Sequence, residues 1–343
     1  MDRAPETGEP TGILYEMNAV LSKRIPPRDE SELNRGLMLL NQNWLSQGIT
    51  SVQDASVQND LAQWSSFCSL KQREVILPRI TMMVGSKSFA DITKKNDFSC
   101  PGTHDQLRLG AVKIIIDETT GRLYPPQKEL NAMVLENHRN GLQVAIHAIE
   151  ENAVESACEA IEFALNDFPR PDHRHRIEHC SVCPRSLSQR IASLGIMVVT
   201  QPDFVFHNGD RYRKTVPERQ LQNIYPICSL MKSNVIVAGS SDSPIAPPSP
   251  LSGISSAVNR LTDKGNLILP QERISVLQAL QLYTAHAARV GFEDEFKGSI
   301  TPGKFADMVL ISGDPTKVPA EQIRDLEVEM TVIGGKVVWT RSG

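Results

Sequence analysis

No apolar run in this chain of 343 residues approaches the roughly 20 needed to span a bilayer, so no membrane-spanning helix is expected. Neither sign of charge is in excess: 36 Lys and Arg stand against 40 Asp and Glu, a net charge of −4. That leaves no basic face for nucleic acid and no polybasic patch for an anionic membrane. Cysteine is scarce. Six residues cannot staple a chain of this size, and a reduced, cytoplasmic protein is expected. The first thirty residues are polar, acidic and proline-bearing, unlike a secretory signal. No G-x-G-x-x-G occurs, which argues against a dinucleotide-binding doubly wound sheet. Gly239-Ser240-Ser241-Asp242 is not the G-x-S-x-G elbow, which argues against a serine hydrolase. With 40% apolar and 22% charged residues the bulk of the chain is not disordered. Its length suits one large barrel with an accessory piece, or two ordinary domains.

What is present repeats. An amphipathic helical stretch, a Gly or Asn stop and a short apolar run recur along the middle of the chain. Residues 32–47 place Leu33, Leu37, Leu40 and Trp44 on one helical face, then come Gly48 and ITSVQDA. Residues 128–140 do the same with Leu130, Met133 and Val134, followed by Gly141 and LQVAIHA. Residues 184–194 carry Leu187, Ile191 and Leu194 ahead of Gly195 and IMVVTQP, and Asn234 is the stop before VIVAGSSDSP. With RITMMVG, AVKIIIDE and HRIEHC the strand-like runs number seven, near Thr50, Arg79, Val112, Leu142, His175, Ile196 and Val235. They are continuous and rich in Val and Ile, as strands of a parallel sheet covered on both faces should be. Alternating βα units of this number predict an α/β protein with a TIM-like (β/α)₈ barrel. After a last helix over residues 274–290 the chain changes character. GSITPGKFADMVLIS and MTVIGGKVVWT make a small β element whose hairpin turns on Gly334-Gly335.

The carboxyl ends of these runs carry Asp54, Asp117, His147, His179, Gln201 and Asp242. A barrel builds its active site from those ends, with about one polar side chain from each strand. His147 and His179 end adjacent strands, about 5 Å apart, close enough to share an ion. Lys113 lies inside the apolar strand before that of His147, where a charged amine is costly. Three explanations compete for it: a buried ion pair, a Schiff-base lysine, or a lysine carbamylated by CO₂ into a metal ligand. Asp242 is placed to take a proton from water at a metal, or else to cap the turn before Pro244. His175, His179, Cys180 and Cys183 imitate a structural zinc site. Such sites draw on two separated ligand pairs, however, and the two cysteines read better as packing residues.

With these residues assembled the chain resembles the amidohydrolase superfamily, and more narrowly its family 3 branch of N-substituted formamide deformylase-like enzymes. The resemblance rests on PTGILYE, GITSVQDA, GAVKIIID, GLQVAIHAI, HRIEHC, QPDF, GSSDSP, YTAHAA and GSITPGKFADMVLI, in family order over nearly the whole chain. It implies a distorted barrel with a β-sandwich assembled from both chain ends. It also implies hydrolysis of a non-peptide, amide-type C–N bond by metal-activated water. By position Lys113, His147, His179 and Asp242 match the metal-site residues, with Asp242 and His179 catalytic. One divalent ion, zinc expected, and a small-molecule substrate follow.

The family opens its barrel with a strand bearing His-x-His, whereas the one His-x-His here, His173/His175, belongs to the approach to the HRIEHC strand. The expectation is therefore a barrel lacking its first strand over residues 1–292. Residues 293–343 would supply the C-terminal part of a sandwich. A homo-oligomer or a strand-donating partner is expected to cover the open edges. Glu150-Glu151 stand where the family has Gly-Asp, and Asp117-Glu118 where it has Asp-Gly. Two further readings remain: an inactive or ligand-binding barrel, and a Schiff-base lyase using Lys113. Loops near Gln58 and over residues 86–100 are expected to shape the pocket.

Overall fold

The computed structural model describes residues 3, 7–12, 21, 24–26, 29–86, 88–89, 100, 105–119 and 121–341. Part of PTGILYE, His104 and most of the 86–100 loop lie outside them. The chain forms two compact units, residues 1–40 and 41–343. In the first, Asp29 opens helix α1 (Glu30–Ser46), its Oδ1 accepting from Glu32 N and Ser31 Oγ, both at 2.7 Å. A carboxylate there answers the free N–H groups of the first turn.

The second unit is built on a parallel sheet. Its strands are β1 (Ser51–Asp54), β2 (Arg79–Gly85), β3 (Leu107–Ile115), β4 (Val144–Ala148), β5 (Arg176–His179), β6 (Met197–Thr200) and β7 (Val237–Gly239). They match the seven runs expected and pair in chain order, every neighbour parallel, as a curled half-barrel. Between them run α2 (Leu61–Gln72), α3 (Gln127–Arg139), α4 (Glu151–Asp167), α5 (Arg185–Ser193), α6 (Asp203–Thr215), α7 (Glu218–Leu221) and α8 (Ile227–Lys232). After β7 come α9 (Pro250–Asn259), α10 (Val276–Tyr283) and α11 (Ala285–Val290). Gly141 and Gly195 take the left-handed conformation expected of helix stops, at φ 77° and 66°, and Asn234 does the same at 66°.

Alternation along the strands divides the sheet into two faces. The outward row, Val112, Ile114, Val144, Ile146, Ile177, Val198 and Val237, packs with Leu130, Val134, Val154, Ile161, Ile191 and Leu282 from the helices. Each such side chain contributes about 1.5–3 kcal/mol on burial. Hydrocarbon is thinner on the inward row. Met83, Ala111 and Ala145 form one small cluster, and Met197, Val199 and Ala238 with Val290 another. Lys113, His147, Arg176 and Glu178 also lie on this face.

Three buried histidines lock the amino ends of β4 and β5. Val144 N donates to His175 Nδ1 at 3.0 Å, so the ring proton of His175 sits on Nε2 and is given to His138 Nδ1 at 2.8 Å. His138 Nε2 in turn donates to Phe168 O at 2.6 Å. On the other side His175 N donates to His173 Nδ1 at 2.9 Å, and His173 Nε2 to Leu194 O at 3.0 Å. Each ring uses one nitrogen as donor and one as acceptor, so all three are neutral. Burial accordingly pushes all three pKa values down, that of His175 furthest.

The C-terminal residues form a three-stranded antiparallel sheet, β8 (Met308–Ile311), β9 (Val328–Ile333) and β10 (Lys336–Thr340), in the order β10-β9-β8. Gly334 and Gly335, at φ 58° and 78°, make the expected two-residue hairpin turn. Asp307 joins this sheet to β2, accepting from Arg79 Nε at 2.7 Å and Nη2 at 3.0 Å, and from Gly334 N at 2.8 Å. Thr331 Oγ1 donates to Leu45 O at 2.7 Å.

One expectation is corrected. The cysteines are not all reduced: Cys68 on α2 and Cys100 are bonded, their Cα atoms 5.7 Å apart, while Cys158, Cys180, Cys183 and Cys228 are free. The two bonded residues are 32 positions apart in sequence, so no count of cysteines could pair them. Among the described residues no helix is long and apolar enough to cross a membrane.

Candidate active site

Strand register stacks the inward side chains in tiers. One runs Gly85, Lys113, Ala145, Arg176 and Met197, and the next, nearer the carboxyl ends, Ile115, His147, Glu178, Val199 and Ala238. Lys113 and Glu178 are both 5% exposed, so a lysine and a glutamate sit in the sheet's interior one tier apart. By strict alternation His179 would share the outward face of Ile177. Its left-handed backbone, φ 75°, breaks the alternation, and its ring lies edge-on to His147 with centroids 4.4 Å apart. Asp242, just past β7, is also left-handed at φ 53°. Strained non-glycine residues of this kind persist where surrounding structure holds them, often at functional sites.

Hydrogen bonds fix the shell around these groups. His179 Nδ1 lies 2.9 Å from Gln201 Oε1, and Gln201 Nε2 donates to Ser240 Oγ at 2.9 Å. Arg176 Nε donates to Glu178 Oε1 at 2.6 Å. The same guanidinium reaches Gln53 Oε1 at 2.8 Å, Val290 O at 3.1 Å and Met83 Sδ at 3.4 Å.

Protonation follows from burial and neighbours. Burial, helped by His179 and Lys113, pushes His147 down to about 3. It lowers His179 as well, against the pull of Asp242. Burial lowers Lys113, opposed by Glu178. Glu178 is the reverse case: burial raises its carboxyl, but Arg176, Lys113 and His179 outweigh that and hold it low. Asp242 stands at the solvent-facing rim, yet loss of solvent around its carboxyl raises it, against His179 and Lys113.

The structure thus brings Lys113, His147, His179 and Asp242 into one electrostatic neighbourhood and adds Gln201 from the expected strand ends. Asp54 and Asp117 serve their own loops. Asp54 Oδ1 accepts from Ser56 N at 2.9 Å and Asn59 Nδ2 at 3.1 Å; Asp117 Oδ1 accepts from Thr119 N at 2.8 Å and Thr119 Oγ1 at 2.6 Å. His175 sits at the amino end of β5, away from His179 at the carboxyl end, while Cys180 and Cys183 are buried in the outward core. Glu178 escaped the sequence reading, although it shares the parity of Arg176 and opposes that of Ile177.

The donor set can be tested for a metal. Among the described residues no three His, Cys, Asp or Glu side chains are grouped to hold one. Two neutral imidazoles are in place, with Asp242 nearby, and a further anionic donor would have to come from Lys113 as its carbamate. Two imidazoles and the Asp242 carboxylate would make the three protein ligands of an open site, to which a Lys113 carbamate would add a fourth.

A parallel half-barrel with polar inward residues toward the strands' carboxyl ends is the architecture of (β/α)-barrel enzymes. The chain belongs to the amidohydrolase family, whose model (Amidohydro_3) matches residues 3–339. It is 29% identical over 368 residues to Protein LONG AFTER FAR-RED 3 of Arabidopsis thaliana, covering 97% of this chain and 62% of that one. It is 26% identical to the N-substituted formamide deformylase of Arthrobacter pascens, covering 98% of this chain and 67% of that one. The fold is similar to a crystal structure of an uncharacterized metal-dependent hydrolase from Pyrococcus horikoshii OT3, with TM-score 0.73, 23% identity, and 88% of this chain against 63% of that one. The chain spans about two thirds of the length of these proteins.

Proposed function

We propose that this chain carries the barrel part of a hydrolase that cleaves an amide-type C–N bond of a small molecule with water and one divalent cation, zinc expected. The observation that supports this reading is the placement of His147, His179 and Asp242 at the carboxyl ends of β4, β5 and β7, with Lys113 one tier below on β3. His147, His179 and carbamylated Lys113 would hold the cation. When bound it supplies Lewis acidity, polarising a carbonyl and making water acidic enough to react near neutral pH.

The chain's own residues account for the rest. Burial keeps both imidazoles neutral, so each keeps a lone pair to donate. Burial also favours the neutral amine of Lys113, the form that adds to CO₂ to give a carbamate and release a proton. Asp242, raised and open at the rim, takes a proton from the attacking water and passes it to the leaving nitrogen. Glu178 and Arg176 form an ion pair on the same face, and the Glu178 carboxylate attracts the Lys113 amine.

The name of the deformylase relative makes N-substituted formamides the first substrates to try. Release of amine by the zinc-reconstituted chain, lost in His179→Gln, is the expected result. A chain that retains no zinc after reconstitution and dialysis would sink the reading. The depressed Lys113 also suits a Schiff-base lyase. Borohydride trapping of a carbonyl substrate at Lys113 in the metal-free chain would favour that alternative. Among the described residues β1 and β7 each pair on one side only. A second copy or a strand-donating partner would cover these edges, and light scattering of the purified chain reads that state.

A further inference from the structure

We propose that Gln201 is the positioning residue that holds His179 as its Nδ1–H tautomer, so that Nε2 keeps the lone pair the site needs. The inference deepens the reading above and rests on His179 acting through Nε2. Three facts carry it. Gln201 is 2% exposed, so its amide has no bulk water to turn to. Its Oε1 faces His179 Nδ1 at 2.9 Å, and a carbonyl oxygen accepts only, so in this orientation the ring proton is on Nδ1. Its Nε2 donates to Ser240 Oγ at 2.9 Å, and Ser240 is itself tied to β6 through its N to Thr200 O at 2.9 Å. One carboxamide therefore spans the ends of β5, β6 and β7 and sets the proton inventory of the imidazole between them.

The reversed amide would also be self-consistent: Nε2 donating to Nδ1, and Oε1 accepting from the serine hydroxyl. That arrangement places the ring proton on Nε2 and leaves no lone pair facing the site. The two states exclude each other, so the choice is measurable.

The full chain labelled with ¹⁵N-histidine reports the tautomer in long-range proton–nitrogen spectra, with His179 identified by its loss in His179→Gln. In the metal-free wild type, Nδ1 is expected to be protonated and Nε2 not. Gln201→Glu, still an acceptor, should keep that pattern. Gln201→Leu should mix the tautomers and weaken zinc binding by about 10- to 100-fold, the usual cost of losing the group that orients a ligand. Ser240→Ala, which frees the amide to reverse, should move the tautomer the same way and serves if Gln201→Leu does not fold.

An Nε2-protonated wild type, or a tautomer unmoved in both Gln201→Leu and Ser240→Ala, overturns the proposal. If the wild type binds no zinc, the tautomer alone decides: the expected pattern keeps Gln201 as positioner while the metal reading fails. If zinc binds equally to wild type and Gln201→Leu with no tautomer change, the metal reading stands and Gln201 loses its role.

Discussion

The histidine chain at the amino ends of β4 and β5 should make the fold acid-labile, and His175→Asn isolates its share. His175 accepts from Val144 N and donates to His138, so adding a proton to its ring would set two donors face to face. Its folded pKa lies well below the ordinary value because burial penalises the charged ring. The unfolded chain therefore binds a proton at higher pH than the folded one. The stability this confers is present above the unfolded pKa of about 6.5 and is lost as pH falls below it.

The slope from this one group is at most about 1.4 kcal/mol per pH unit, the value for one whole proton taken up on unfolding. At about pH 8 His175→Asn should be less stable than wild type by about 1–3 kcal/mol, since His138 Nδ1 loses its donor. Toward pH 5 that gap should narrow, by no more than about 1.4 kcal/mol per pH unit, because the variant has no ring at this position to titrate. His147, His179 and His173 are also depressed, but their ring contacts are the same in both proteins and they cancel from the difference; His138, which loses its ring partner, counts with His175 as one unit. Urea unfolding followed by far-ultraviolet circular dichroism at several pH values gives the gap directly. A gap that stays constant from about pH 8 to pH 5 would refute the donor–acceptor assignment.

Other expectations follow from single contacts. Glu178→Gln strips the counter-ion from Arg176, whose side chain is 2% exposed, and should cost about 3–5 kcal/mol in urea melts. The double change Arg176→Met with Glu178→Leu should recover most of that loss. Equal instability of single and double variants would count against the ion pair as the cause. Gly253→Ala would drive a methyl group into the buried Tyr283 hydroxyl and should cost about 1–3 kcal/mol, read as a lower Tm; an unchanged Tm would show that the α9–α10 packing is looser than described. Asp242→Asn should lower amide hydrolysis by about 10²- to 10⁴-fold with little change in Tm, measured by steady-state kinetics on the zinc-loaded chain. Retained activity would remove Asp242 from proton transfer.

Local chemistry along the chain was enough to specify the strands and their order. Continuous Val- and Ile-rich runs, four of them preceded by an amphipathic helix with a Gly or Asn stop, can satisfy both sheet faces only as parallel βα units. The seven runs duly became seven neighbouring strands. Lys113 and His147 were also legible, because each is a polar residue within or ending an apolar strand-like run, where it is costly without a partner. Other features arise only from contacts distant in sequence. His179 has the parity of an outward residue and enters the site through a left-handed backbone that no propensity announces. Glu178 acquires its charge state from Arg176 and Lys113, and Gln201 acquires a role from a ring 22 residues away. The pairing of Cys68 with Cys100 and the three-histidine lock are of the same kind. Alternation and helix stops act between neighbours and are written in the sequence; burial, charge pairing and tautomer choice act across the fold and exist only once the strands stand side by side.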